Sequence, residues 1–155
     1  MMSATIEQRL SELGIELPNA SAPAANYIPY TMSDDLLFVS GQIPMGPNGP
    51  EHVGKLGETM DVAGGQAAAR LCGLNIIAQA KAALGDLDRV LQVMKLQGFV
   101  NATHEFTQHP EVVNGASDLM VEVFGDKGRH ARAAVGMGSL PRGVSVEVDA
   151  IIRFA

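Results

Sequence analysis

From Val144 to Phe154 the chain alternates strictly, with Val144, Val146, Val148, Ala150, Ile152 and Phe154 on one side. Ser145, Glu147, Asp149, Ile151 and Arg153 fall on the other. A period of two over this length marks a strand with one buried face, and a one-residue slip would turn every valine to water. The fold must therefore supply an apolar layer for that face. Just upstream, the apolar run through Val135 is a second short strand and carries Arg132; Leu140–Pro141–Arg142–Gly143 breaks the chain between the two. Pro141 brings a fixed φ and Gly143 a permitted positive φ, so the break reads as a turn. On this reading the turn lays the second strand beside the first, and Arg132 lies near Glu147 on neighbouring strands.

The covering layer is helical. Residues 60–84 read as a long helix with Val62, Leu71, Leu74, Ile77, Ala78 and Ala82 as its apolar stripe and Gly85 as its stop. Gly64, Gly65 and Gly73 each cost about 1 kcal/mol of helix propensity, which points to close backbone packing, here expected against a sheet. Pro110 to Gly125 gives a second helix, with Val112, Val113, Ala116, Leu119, Met120, Val123 and Phe124 at i, i+3, i+4 spacing. Leu36–Ser40 and Val90–Val100 supply further strands. Residues 17–35 read as loop, and Met45 to Pro50 as a turn. A short helix is expected over 4–13, with Ile6, Leu10 and Leu13 at helical spacing and Gly14 as its stop. The fold class is α+β: a mixed sheet with two helices packed on one face, in a single domain over 1–155.

At 155 residues one domain can bury roughly 70% of its unfolded surface without disulfides or metals. Apolar runs stay far below the roughly 20 residues of a membrane span. Glu7 and Glu12 interrupt the N-terminus, so it does not read as a signal peptide. Cys72 is the single cysteine, which fits a reducing, cytoplasmic setting. A formal charge of −6, scattered basic residues and no Trp argue against a nucleic-acid surface.

Arg132 is the strongest candidate for chemistry, because a guanidinium is a rigid fork that matches a carboxylate. The competing reading is a surface arginine paired with an acidic neighbour. Glu147 reads either as a site carboxylate or as a solvated residue on the polar face of its strand. His104-Glu105 with His109 is one residue too long for HExxH, since five helical residues turn by roughly 140°; no metal is expected. Cys72 reads as buried filler. Gly136 and Gly138 precede a Leu-Pro turn instead of opening a helix, so they are no dinucleotide fingerprint.

Taken together, Arg132, Val135, Leu140–Pro141, Val146–Glu147–Val148 and Ala150 resemble the C-terminal signature of the RidA/YjgF imine deaminases. The resemblance runs upstream through Val113–Asn114, Ser40–Gly41–Gln42–Ile43–Pro44, Tyr30 and Ala22–Pro23–Ala24. It leaves residues 1–21 as an N-terminal extension. It implies a trimer of YjgF/chorismate mutase-like chains with sheets around a central barrel and pockets between subunits. It also implies hydrolysis of reactive 2-imino acids to 2-keto acids and ammonia, without a cofactor. In that scheme Arg132 grips the carboxylate and Glu147 positions water, while Tyr30, backbone groups near Gly41, and Asn114 shape the cleft. Many relatives carry cysteine where this chain has Ala134, which removes a thiol from the expected substrate contacts. A non-catalytic carboxylate-binding or chaperone-like trimer is the second reading, and a ribonuclease the third.

Overall fold

The computed structural model describes residues 4–22 and 25–155; Pro23 and Ala24, part of the upstream motif, lie outside the described residues. Helix α1 (Ile6–Glu12) is followed by strands β1 (Tyr30–Ser33) and β2 (Leu36–Gln42) and the small hairpin β3 (Met45–Gly46) and β4 (Gly49–Pro50). Then come α2 (Val62–Leu84), β5 (Val90–Asn101), α3 (His109–Phe124), β6 (Ala131–Met137) and β7 (Val146–Phe154). Five strands form one sheet in the order β1-β2-β7-β5-β6, antiparallel except for the parallel pair β5–β6. Helices α2 and α3 cover one face. This is the α+β architecture expected of the alternation.

The core sits between that face and the helices. Val146, Val148, Ala150 and Ile152 of β7 point into it beside Leu37 and Val39 of β2 and Val93, Leu96 and Val100 of β5. Glu147, Asp149 and Ile151 point to the open face. Ser145, expected on the polar side, is fully buried, and its hydroxyl donates to the His52 carbonyl at 2.7 Å. The bond satisfies the polar group that burial would otherwise leave stranded.

One expected neighbour relation is overturned. β7 does not lie beside β6: β5 stands between them and pairs with both. The Pro141–Gly143 segment is a turn of 3-10 helix that carries the chain past the end of β5. Parallel pairing of β5 with β6 requires a long crossover, which α3 provides, so β6 is left at the sheet edge.

The helix phases also differ from expectation. Along α2 the buried residues include Gly65, Ala68, Ala69, Cys72, Gly73, Ile76 and Ala80, whereas Leu71 and Leu74 are half-buried and Ala82 exposed. Cys72 faces the sheet, its thiol 3.5 Å from the Val146 carbonyl, whereas Gly65 and Gly73 lie where α2 meets α3. A Cβ on Gly73 would come within 2.9 Å of Leu119, one on Gly65 within 3.0 Å of Val112, and one on Gly115 of α3 would overlap the Gln66 carbonyl. The close approach is thus helix to helix, not helix to sheet. Cys72 is completely buried, and burial pushes its thiol up, away from reactivity.

Two short features escaped the pattern. β1 pairs with β2 inside the stretch read as loop, and its burial shows little alternation because it is an edge strand. The stretch Met45–Pro50, read as a turn, is the whole β3–β4 hairpin, with Pro47 and Asn48 at its tip. Helix α1 begins with a capping box, Thr5 accepting from the Gln8 backbone at 3.1 Å and Gln8 accepting from the Thr5 backbone at 2.9 Å. It docks through Leu10, and Arg9 donates to the Glu122 carbonyl at 2.7 Å. No helix among the described residues is long and apolar enough to cross a membrane.

Candidate active site

The polar residues singled out above fall into two groups. The first is built on β2 and β7. Between Val39 and Gln42 the β2–β7 register shifts, a bulge that carries Gly41. Gly41 leaves space for Glu147: a Cβ there would overlap the Glu147 carboxylate. The carboxyl is half-buried in a cavity of about 270 Å³ whose walls include Gly41, Gln42, Ile43, Gln79 and Arg142. Burial raises the Glu147 pKa, and the like charge of Asp149 adds to it. Neither Glu147 nor Asp149 has a salt-bridge partner among the described residues.

Tyr30 opens β1, pairs with Val39 and packs partly against the core. The tyrosine on the wall of the Glu147 cavity is Tyr27, half exposed at 51%. The sequence reading passed over Tyr27 and Arg142. Arg142 takes a positive φ of 58° in the turn before β7, a place where nothing in the sequence marks a long side chain as aimed at a cavity.

The second group lies at the β6 edge. Arg132 pairs in register with Leu96, so it shares the helix-side face and reaches α3. Its Nη1 donates to Asn114 Oδ1 at 2.8 Å and to Ser117 Oγ at 3.1 Å. Ser117 Oγ also meets His130 Nε2 at 2.9 Å, and His130 Nδ1 meets the Gly128 carbonyl at 2.6 Å. Ala134, two residues on, shares the Arg132 face and packs against the core. Asn114 and Arg132, both proposed from sequence, are thus in contact. Ser117 was missed, although it stands three residues after Asn114 on the same helix face. His130 was missed too, although it precedes Arg132 by the strand period of two.

Arg132 Nη1 has two protons, and both are committed to α3. Among the described residues no acceptor is bound to Nε or Nη2, and no carboxylate pairs with the guanidinium. The Nε–Nη2 edge, two parallel N–H groups, is the edge that binds a carboxylate with two bonds. Among the described residues no three His, Cys, Asp or Glu side chains converge as a metal site would require.

Residues 7–147 match the model of the family described as YjgF/chorismate mutase-like, putative endoribonuclease. The chain belongs to the RidA/YjgF family. It is 52% identical to Protein TCP17 of Trypanosoma cruzi over 152 residues, covering 97% of this chain and 95% of that one. An Agrobacterium tumefaciens protein of unknown function superposes with a TM-score of 0.91 at 53% identity, covering 97% of this chain and 92% of that one. A crystal structure called a putative endoribonuclease, from Shewanella oneidensis MR-1, superposes at 0.94 with 38% identity, covering 97% and 100%. The RidA/YjgF signature residues thus stand in a chain that has the fold of its relatives nearly end to end.

Proposed function

We propose that this protein hydrolyses 2-imino acids to 2-keto acids and ammonia, at sites each completed by two copies of the chain in a homotrimer. The observation that carries the reading is the Arg132 guanidinium: a cation held by neutral partners, with its two-pronged edge unpaired. A small carboxylate fits that edge by charge and shape. Glu147, half-buried with a raised pKa, is suited to take a proton from water at a pH near its own ionisation.

The steps follow from these roles. Arg132 fixes the substrate carboxylate, which places the adjacent C=N carbon. Water adds to that carbon as Glu147 accepts one of its protons, and a proton passes to nitrogen, giving a carbinolamine. The C–N bond then breaks, the C=O forms, and ammonia leaves. The imine carbon is already electrophilic, so positioning supplies much of the rate. Gly41, by lacking a side chain, keeps Glu147 against the cavity wall; Asn114 holds the guanidinium; Ala134 leaves room where a larger side chain would project.

The two groups sit on opposite faces with β5 between their strands, a lateral offset of about 10 Å. One small acid cannot touch both within a single chain. The open sheet face carries Phe38, Ile151 and Val135 at least partly exposed, an apolar surface suited to burial against further copies.

The test is a panel of freshly generated 2-imino acids, with keto-acid formation measured above the spontaneous rate, beside an RNA-cleavage assay and the solution mass. Turnover by a species of three times the 16.3 kDa chain mass supports the reading. A monomer with full activity, or RNA cleavage with no effect on imino acids, overturns it.

A further inference from the structure

Behind Arg132 lies a chain of hydrogen bonds whose direction the structure fixes. Gly128 is buried, and a Cβ on it would overlap the Met120 carbonyl of α3, so its backbone is pinned against that helix. The neighbouring Arg129 carbonyl accepts from Gln92 of β5. The Gly128 carbonyl can only accept, so His130 Nδ1 carries a proton and donates to it. In the neutral ring Nε2 then has a lone pair and no proton. Ser117 must donate its single hydroxyl proton to that nitrogen, which leaves its oxygen lone pairs facing Arg132 Nη1.

We propose that Ser117 and His130 are positioning residues for the proposed reaction, a relay that runs from the Gly128 carbonyl and turns the Arg132 guanidinium so that its Nε–Nη2 edge faces the substrate carboxylate. Asn114 holds one proton of Nη1 and Ser117 the other, so the two acceptors together define the plane of the fork. Without Ser117 the guanidinium keeps its charge and one anchor but can rotate about it. The relay rests on the reading of Arg132 as the carboxylate grip.

The surroundings keep His130 neutral. Burial lowers its pKa, the Gly128 bond raises it, and the Arg132 charge lowers it further. Asp126 and Lys127 of the 3-10 turn Gly125–Gly128, Arg129 just after it, and Asp118 of α3 are exposed. Glu122 of α3 pairs with Arg70, and Lys95 of β5 lies on the opposite sheet face. A carboxylate bound at Arg132 offsets that cation, so ligand binding and His130 protonation favour each other.

Two measurements on the assembled protein decide the matter. Nitrogen-15 NMR of wild-type His130 at neutral pH is expected to show Nδ1 protonated and Nε2 bare, with the imidazole pKa rising when 2-oxobutanoate is added. The opposite tautomer overturns the relay. In kinetics, Ser117→Ala is expected to raise KM for the imino acid about fivefold to tenfold, since the fork keeps its charge and loses only its fixed orientation, with kcat nearly unchanged. Ser117→Thr should restore it, and His130→Phe should follow the alanine variant. If Arg132→Ala abolishes turnover while Ser117→Ala and His130→Phe match wild type, the relay is wrong and the carboxylate grip stands. If Arg132→Ala is fully active, the grip itself is wrong. Should Ser117→Ala fail to fold, the tautomer measurement on wild type still decides.

Discussion

Arg132 and Glu147 stand on opposite faces of one sheet, separated by strand β5. Arg132 pairs with Leu96 on the helix side, while Glu147 pairs with Phe99 on the open side. Two residues proposed to act on one small substrate are thus held apart by the fold that carries them, which places the burden of bringing them together on assembly.

A mixing experiment follows. Arg132→Ala and Glu147→Gln should each be nearly inactive as pure trimers. Unfolded together in equal amounts and refolded, they should recover about a quarter of wild-type activity, because three-quarters of random trimers are mixed and each mixed ring holds one intact site of three. Recovery near zero would show that both residues must come from the same chain.

Gly41 sets the position of Glu147. In Gly41→Ala the new Cβ meets the Glu147 carboxylate and pushes it off the cavity wall. Turnover should fall at least tenfold, whereas 2-oxobutanoate binding through Arg132 should change little. The overlap is with a side-chain end, so the stability loss should be no more than about 1–3 kcal/mol, read from urea unfolding.

Glu147 links stability to pH. Its pKa is raised in the folded chain, so folding favours the protonated form. The stabilisation is fully present below the unfolded value near 4.5 and is lost as pH rises through the folded pKa. Glu147→Gln carries no charge to desolvate. It should therefore melt higher than wild type at neutral pH, and the gap should close as the pH falls towards 4. A variant that melts lower at every pH would mean that the carboxylate is stabilised in the fold.

The sheet was legible from sequence wherever one face is buried and the other is not. Val144 to Phe154 announces its register because every second residue enters the core. β1 was not legible, because on an exposed edge strand only Tyr30 has a core to answer to. Helix α2 misled for the opposite reason: Leu71 and Leu74 look like its stripe, but Ala68, Cys72 and Ile76 are the fully buried line, with Cys72 against the Val146 carbonyl of β7, while Gly65 and Gly73 let α3 come close. At the site, Arg132 and Glu147 stand out by residue type and strand position, Asn114 and Gly41 only by motif resemblance, and the structure groups the four in two pairs. Periodicity tells which face a residue takes, but not which strand becomes its neighbour, so the separation of the pairs was hidden. The partners Ser117 and His130 lay at readable spacings, but only once α3 was known to stand over β6.

The arginine itself allows the sharpest test of the carboxylate grip. Lysine in its place keeps the charge and loses the fork. A single ammonium offers three protons from one point, so it can satisfy Asn114 and Ser117 or reach towards a carboxylate, but cannot present two parallel N–H groups. Arg132→Lys should therefore lower kcat/KM by about tenfold to a hundredfold, the equivalent of roughly 1.5–3 kcal/mol for a lost charge-assisted bond. Arg132→Ala should cost more, since no cation remains. Both variants should keep fold and mass, because Arg132 lies on an edge strand and its partners Asn114 and Ser117 are only half-buried and can turn to water. The comparison needs steady-state rates beside circular dichroism and light scattering. A lysine variant that matches wild type would show that charge alone is needed, and the two-pronged geometry at Nε and Nη2 would then have no role.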